Sequence, residues 1–321
     1  MRRFLHRHRD LLSLSTVLLV VLLVMLLLSP ERFLKPNNLR SMAFQLPEIG
    51  ILTLAMMVAM LHGGINLAAV GTANLTAIIT ALVIHATAPT VGNGWLAIAL
   101  ALAAGFAASL LVGLLSGFLV GYIGVSSILT TLGTMTLVNG VCIVITGGST
   151  ISRLPEPILF VGNGVLFGIP VPLIIFLLCG AGLSLVLSRT VFGFNLYMLG
   201  TNSEATRYAG INNARTLLGV YLASSFFASI GGIIMMARFN SAKADYGQSY
   251  LLVTVLAAVL GGTSASGGYG KVVGVMVAIV MLQMLASGLN LLGVDPFFAI
   301  AMWGAILLLV MTLKHFLRQR V

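Results

Sequence analysis

The feature that most constrains this chain is a succession of long apolar runs, almost free of charge, set apart by short polar stretches. A water-soluble core has no room for so many of them. In a bilayer, about 20 apolar residues of helix cross the hydrocarbon with every backbone group bonded internally. Ten candidate spans follow, at about 11–28, 48–62, 67–85, 95–120, 127–146, 171–187, 215–236, 249–262, 272–287 and 296–313, the second, eighth and ninth being short. A barrel would instead show segments of about ten residues alternating in polarity. With 59% hydrophobic and 7% charged residues, no polar stretch is long enough to bury a core of its own. The expectation is an all-α, polytopic membrane helical bundle of about ten transmembrane helices, forming one transmembrane domain over residues 1–321.

The net charge of +10 invites a nucleic-acid reading, but the 17 basic residues are scattered over loops, as the positive-inside rule requires. With the N-terminus inside, eleven of them (Arg2, Arg3, Arg7, Arg9, Arg189, Arg207, Arg215, Lys271, Lys314, Arg318 and Arg320) fall in the cytoplasm. Six (Arg32, Lys35, Arg40, Arg153, Arg238 and Lys243) fall outside. That bias predicts both termini cytoplasmic, hence an even number of spans. The opening MRRFLHRHR and its apolar run are like a signal peptide, but the run is too long and no small-x-small site follows, so a retained span is expected.

The polar stretch Leu199–Tyr221, within a cytoplasmic loop at about 188–214, holds Glu204, Arg207 and Arg215 and must lie in water. Ser203 is placed to cap a helix, Glu204 suits its positive end, and Gly210 suits a left-handed stop. A helix of about two turns, Glu204–Ala209, is predicted, in which Arg207 is spaced to pair with Glu204 at i,i+3 for only a few tenths of a kcal/mol. So short a helix needs support. It either rests on its own bundle or docks on a soluble partner.

Gly105, Ser109, Gly113, Gly117 and Gly121 recur every four residues and leave one helix face almost bare. Another backbone can approach it closely, from the same chain or from another subunit. The nine prolines sit in loops or at span edges, so helix breaks are expected at Gly63-Gly64, Gly147-Gly148, Gly231-Gly232, Gly261-Gly262 and Gly267-Gly268. The outer stretch 147–170 suits a lid or a partner-facing surface.

Catalytic chemistry is not apparent. No acidic residue is expected in mid-span, Glu48, Asp245 and Asp295 falling at span ends, which weighs against ion coupling. GGTSASGGYGKV (261–272) fails as a phosphate loop: position 265 is Ala, position 272 is Val, and it joins two apolar spans. His62 and His85 stand alone near span ends, and Cys142 and Cys179 lie in apolar runs. Catalytic residues, bound metal and bound cofactor are therefore not expected, and any ATP hydrolysis is assigned to another subunit.

Several segments in order carry a likeness: HGGINLA (62–68), TLGTMTLVNG (131–140) with ITGGS (145–149), FGFNLYMLGTNSEATRYAGIN (192–212), GGTSASGGYG (261–270) and LNLLGV (289–294). Over about 46–313 the chain resembles the membrane subunits of bacterial ABC importers for monosaccharides, the ribose/arabinose/xylose-type permeases. Asn66 stands where that pattern has Asp, and Ala68-Ala69 replaces its Ser. The resemblance implies a multi-pass permease of the bacterial inner membrane, homo- or heterodimeric with a second permease subunit. It also implies two cytoplasmic ABC ATPase subunits holding ATP and Mg, and a periplasmic or lipid-anchored solute-binding protein. It further implies that Ser203, Glu204, Ala205, Thr206, Arg207, Tyr208, Ala209 and Gly210 form the coupling helix seated in the ATPase. Asn66, Thr131, Thr134 and Asn139 are candidates for a weakly binding substrate path, though residues of these types more often bond a neighbouring helix. The alternative is a stand-alone ion-coupled secondary transporter of a small polar solute. A membrane enzyme or scaffold lacks the paired groups it would need.

Overall fold

The computed structural model describes residues 18–19, 21–27, 30–87, 94–295, 298–299, 301–308 and 312. Most of the first candidate span and much of the last lie outside the described residues. Seven helices among those described are long and apolar enough to cross a bilayer. They are α1 (Pro36–Met60), α2 (Ala69–Thr87), α3 (Gly94–Phe118, continued by a π-helical turn, Leu119–Ile123) and α4 (Ser127–Thr146), then α6 (Val171–Arg189), α9 (Asn213–Phe239) and α11 (Val272–Leu291). Between them lie the short helices α5 (Glu156–Asn163), α7 (Val191–Thr201), α8 (Ser203–Tyr208) and α10 (Tyr250–Leu260).

Helix α1 is the axis of the bundle. Every residue from Gly50 to Leu61 is buried, against α6, α9, α10 and α11. Helix α2 is buried between α3, α4 and α9, while α3, α4 and α6 keep most of their apolar surface exposed, as lipid-facing helices do. One core cluster joins α1, α6, α9, α10 and α11, and a second joins α2, α3, α4 and α5.

At the end of the bundle opposite α8, two two-residue ribbons close the loops. Strand β1 (Ile151–Ser152) pairs antiparallel with β4 (Ser241–Ala242), Ile151 opposite Ala242. Strand β2 (Val165–Leu166) pairs with β3 (Ile169–Pro170). Asn240 Oδ1 accepts from Leu154 N at 3.0 Å and Asn163 Nδ2 donates to Ala237 O at 2.9 Å, so stretch 147–170 is stitched to α9.

Five expectations change, the first being that the ninth span is not short but the 20-residue α11. The second span is not short: α1 starts at Pro36, because the polar Asn37, Asn38 and Arg40 continue the helix out of the apolar stretch. Pro47 lies inside α1, and Gly231-Gly232 does not break α9. A Cβ on Gly232 would overlap the carbonyl oxygen of Ala73, so this glycine serves close contact with α2. The eighth candidate is only the 11-residue α10, about 16 Å long and half the depth of a bilayer core.

Candidate functional site

The segment read as a cytoplasmic loop is largely helical. Thr190 Oγ1 caps α7, accepting from Gly193 N at 3.2 Å, and Leu196 and Leu199 bury themselves against the bundle. Gly200 is pressed so closely on Leu61 and Gly268 that a Cβ would overlap the Leu61 carbonyl oxygen. Gly268 N donates to that same oxygen at 2.9 Å, and Tyr197 OH donates to Gly270 O at 2.7 Å. The stretch 261–271, with Gly262, Gly267 and Gly268 at positive φ, is thus a packed turn beneath α7.

Helix α8 follows after one residue. Its cap is Asn202, not the predicted Ser203: Asn202 Oδ1 accepts from Glu204 N and Ala205 N, both at 3.0 Å. The reason is register, since the helix begins at Ser203 and the residue before it holds the non-helical φ/ψ that a cap needs. Its last residue is Tyr208, one short of the predicted Ala209. Gly210 has φ +78° and Ile211 N returns to Thr206 O at 3.0 Å, closing the end. Thr206 is buried with its hydroxyl on Ser203 O, and Asn213 Nδ2 grips the same oxygen at 2.8 Å. All other residues from Ser203 to Gly210 are exposed, Tyr208 at 92%. The predicted pair of Glu204 with Arg207 is not among the ion pairs of the described residues, so both charges face outwards.

The bare face of α3 meets helices of the same chain. A Cβ on Gly105 would overlap Thr80 Oγ1. Ser109 Oγ donates to Ser225 O at 2.6 Å. Cβ positions on Gly113, Gly117 and Gly121 lie 2.9 Å from Tyr221 O, 2.9 Å from Leu218 Cα and 2.8 Å from Ala214 O. The five residues form one seam, first on α2 and then along α9.

The four path candidates are all turned inwards. Asn66 is buried: its Oδ1 accepts from Ala68 N at 3.1 Å at the start of α2, and its Nδ2 donates to Ser224 Oγ at 2.8 Å. Ser224 in turn donates to Ala55 O, so this amide ties α1, α2 and α9 together. Thr131 donates to Ile65 O at 2.9 Å, Thr134 is buried beside Ser116, and Asn139 is half-buried against Gly71. The open side of α4 is a different set. Leu129, Leu132, Gly133, Thr136, Leu137 and Gly140 line a shallow groove of about 790 Å³. No atom approaches Cβ positions on Gly133, Gly140 or Gly147 within 4 Å. Gly133 and Gly140, seven residues apart, are the signal in the sequence that could have marked this face.

Glu48 overturns the expectation of no acidic residue within a span. It lies twelve residues into α1 and is 1% exposed. Its Oε1 accepts from Arg238 Nη1 at 2.6 Å and its Oε2 from Tyr250 OH at 3.2 Å. The neighbouring polar residues had hidden it, because they read as a loop rather than as the first turns of a helix. The lone histidines differ. His85 Nε2 meets Ser152 O at 3.1 Å, whereas His62 packs edge-on to Tyr221 at 5.8 Å with its Nε2 buried and unbonded.

Residues 38–313 match the family model described as the permease component of the branched-chain amino acid transport system. The chain is 32% identical to the autoinducer 2 import system permease protein LsrD of Yersinia pestis (strain Pestoides F), over 91% of this chain and 87% of that protein. The same figures hold for the LsrD proteins of Yersinia pseudotuberculosis serotype O:1b (strain IP 31758) and serotype O:3 (strain YPIII). No solved structure matches. A helical bundle with seven membrane-length helices among its described residues, matched over nearly its whole length by import permeases, is a multi-pass protein of the bacterial inner membrane. The chain belongs to the permease family of the branched-chain amino acid transport type and is the membrane subunit of an ABC importer.

Proposed function

We propose that this subunit translocates a monosaccharide or sugar-like polar solute handed over by an extracytoplasmic binding protein, and that α8 is where a separate ATPase applies force. Ten crossings with both termini cytoplasmic complete the topology, the eighth made by α10 together with the chain that leads into it, and the basic-residue bias supports the orientation. The observation that carries the reading is α8 itself. Six residues are held rigidly at both ends, rooted through α7 on Leu61 and Gly268, and show their partner-facing side to water. Exposed Tyr208, next to Arg207 and one turn on from Glu204, gives the aromatic-and-charge composition of an interface anchor. The LsrD relatives import autoinducer 2, a second reason to expect a small polar solute. ATP and Mg then belong to the two ATPase subunits. The open face of α4 is the surface offered to a second permease subunit, with the path between them lined by Thr136, while the candidates Asn66, Thr131, Thr134 and Asn139 support that path from the inner side of the helices. A stand-alone ion-coupled carrier is disfavoured by Glu48, whose carboxylate is held by Arg238 rather than left free for an ion.

Glu204→Lys tests this in the assembled importer. The expected result is at least a tenfold loss of ATPase co-purification or of solute-stimulated hydrolysis, with the permease still monodisperse. Both activities surviving unchanged would show that α8 is no docking element.

A further inference from the structure

A cavity of about 250 Å³ lies inside the single chain, walled by α1, the end of α9, the start of α10, and α11, with Trp303 on its rim. It sits on the half of the bundle away from α8, since Arg238 and Phe239 close the far end of α9. It is also separate from the α4 groove: the two share no lining residue. No role discussed so far uses it.

Its chemistry is specific. Arg238 lines it, yet among the described residues only Nη1 of that guanidinium is bonded, to Glu48, leaving other N–H donors for a ligand. Gln283 is 4% exposed and gives Nε2 to Gln45 Oε1 at 3.1 Å, which leaves its own Oε1 as an acceptor. Ser249 adds a hydroxyl at the mouth of α10. Against these stand the rings of Phe239, Tyr250 and Trp303. Ile49, Val253, Ile279, Leu282 and Ala286 make the rest of the wall, so a few donors and acceptors set among aromatic and aliphatic faces suit a molecule that is polar at its edges and apolar on its C–H faces. Because Glu48 neutralises Arg238, the pair brings no net charge, so an ionic ligand has no counter-ion there. The volume is just below the roughly 300–1,000 Å³ of drug-sized sites, which fits a ligand of about a dozen heavy atoms.

We propose that this cavity binds a free, neutral, polyhydroxylated solute of monosaccharide size within one chain. The proposal needs neither an ATPase nor a second permease, so its test is independent of the role of α8. The chain has two tryptophans, and Trp95 is 71% exposed on α3; Trp95→Phe leaves Trp303 as the reporter. The full-length Trp95→Phe protein in phospholipid nanodiscs is titrated with ribose, glucose and ribitol, with gluconate as the charged control and octyl glucoside as the lipid-like one. The expected result is a saturable change in Trp303 emission with at least one neutral probe and none with gluconate. The apparent Kd should rise about tenfold or more in Gln283→Met, for one lost buried hydrogen-bonding group. Gln45→Met is the second variant should Gln283→Met fold poorly. Silence with all three neutral probes, an equal response to gluconate, or a Kd unchanged in the folded variants would overturn the proposal. A response to octyl glucoside alone would assign the cavity to a lipid headgroup and overturn it as well.

Discussion

Severing the Glu48–Arg238 pair from its two sides should have unequal consequences. Glu48 is 1% exposed, whereas the Arg238 side chain is 22% exposed. Arg238→Met strands a carboxylate that water cannot reach, its remaining bond being the 3.2 Å one from Tyr250 OH. Breaking a fully buried pair costs about 3–5 kcal/mol, and this side of the pair meets that description. Glu48→Gln keeps the shape and an acceptor oxygen, and leaves a guanidinium with partial access to solvent, so about 2–3 kcal/mol is expected. The double variant has no charge left to strand and should recover to within about 1–2 kcal/mol of the parent. Thermal unfolding with a thiol-reactive dye measures all three, because Cys142 is buried and Cys179 half-buried until the bundle opens. Equal losses in the two single variants, or a double variant no better than Arg238→Met, would refute the burial argument.

Two further outcomes follow from the glycines and from Asn66. Gly113→Ala puts a Cβ 2.8 Å from Ser225 Oγ and should cost about 1–3 kcal/mol, while Gly133→Ala on the open face of α4 should be neutral or stabilising by up to about 1 kcal/mol. The two unfolding curves shifting alike would contradict the seam. Asn66→Ala should cost about 2–3 kcal/mol, since it removes the cap on Ala68 N and leaves that buried donor unbonded. Hydrogen exchange at the start of α2 checks this, and exchange no faster than in the parent would mean the cap is idle.

What could be read from the sequence depended on the kind of signal. Apolar run length is enough to place α2, α3, α4, α6, α9 and α11, and a period of four is enough to mark the seam. Gly210 needed only its lack of Cβ. Features set by tertiary partners were harder. Glu48 reads as a span end because Asn37, Asn38, Arg40 and Gln45 precede it, yet they are turns of the same helix. The largely apolar stretch 249–262 does not reveal that only Tyr250–Leu260 is helical, nor that Asn74 Nδ2 holds the chain before it through Ala244 O and Tyr246 O. Thr131 and Thr134 lie on the right helix but on its inner side, and only the neighbours of α4 decide which side that is.

A seam that one helix lines only with glycine and serine has few rotamers with which to absorb strain. Side chains between helices act as a compliant filler, letting two rods slide by a fraction of an ångström at small cost. Between α3 and α9 that filler is reduced, over the stretch from Ser109 to Gly121, to the side chains that α9 contributes, such as Ser225 and Leu218. The two rods can therefore be joined or parted but hardly sheared, and any stroke passing through this protein has to be taken up along other joints.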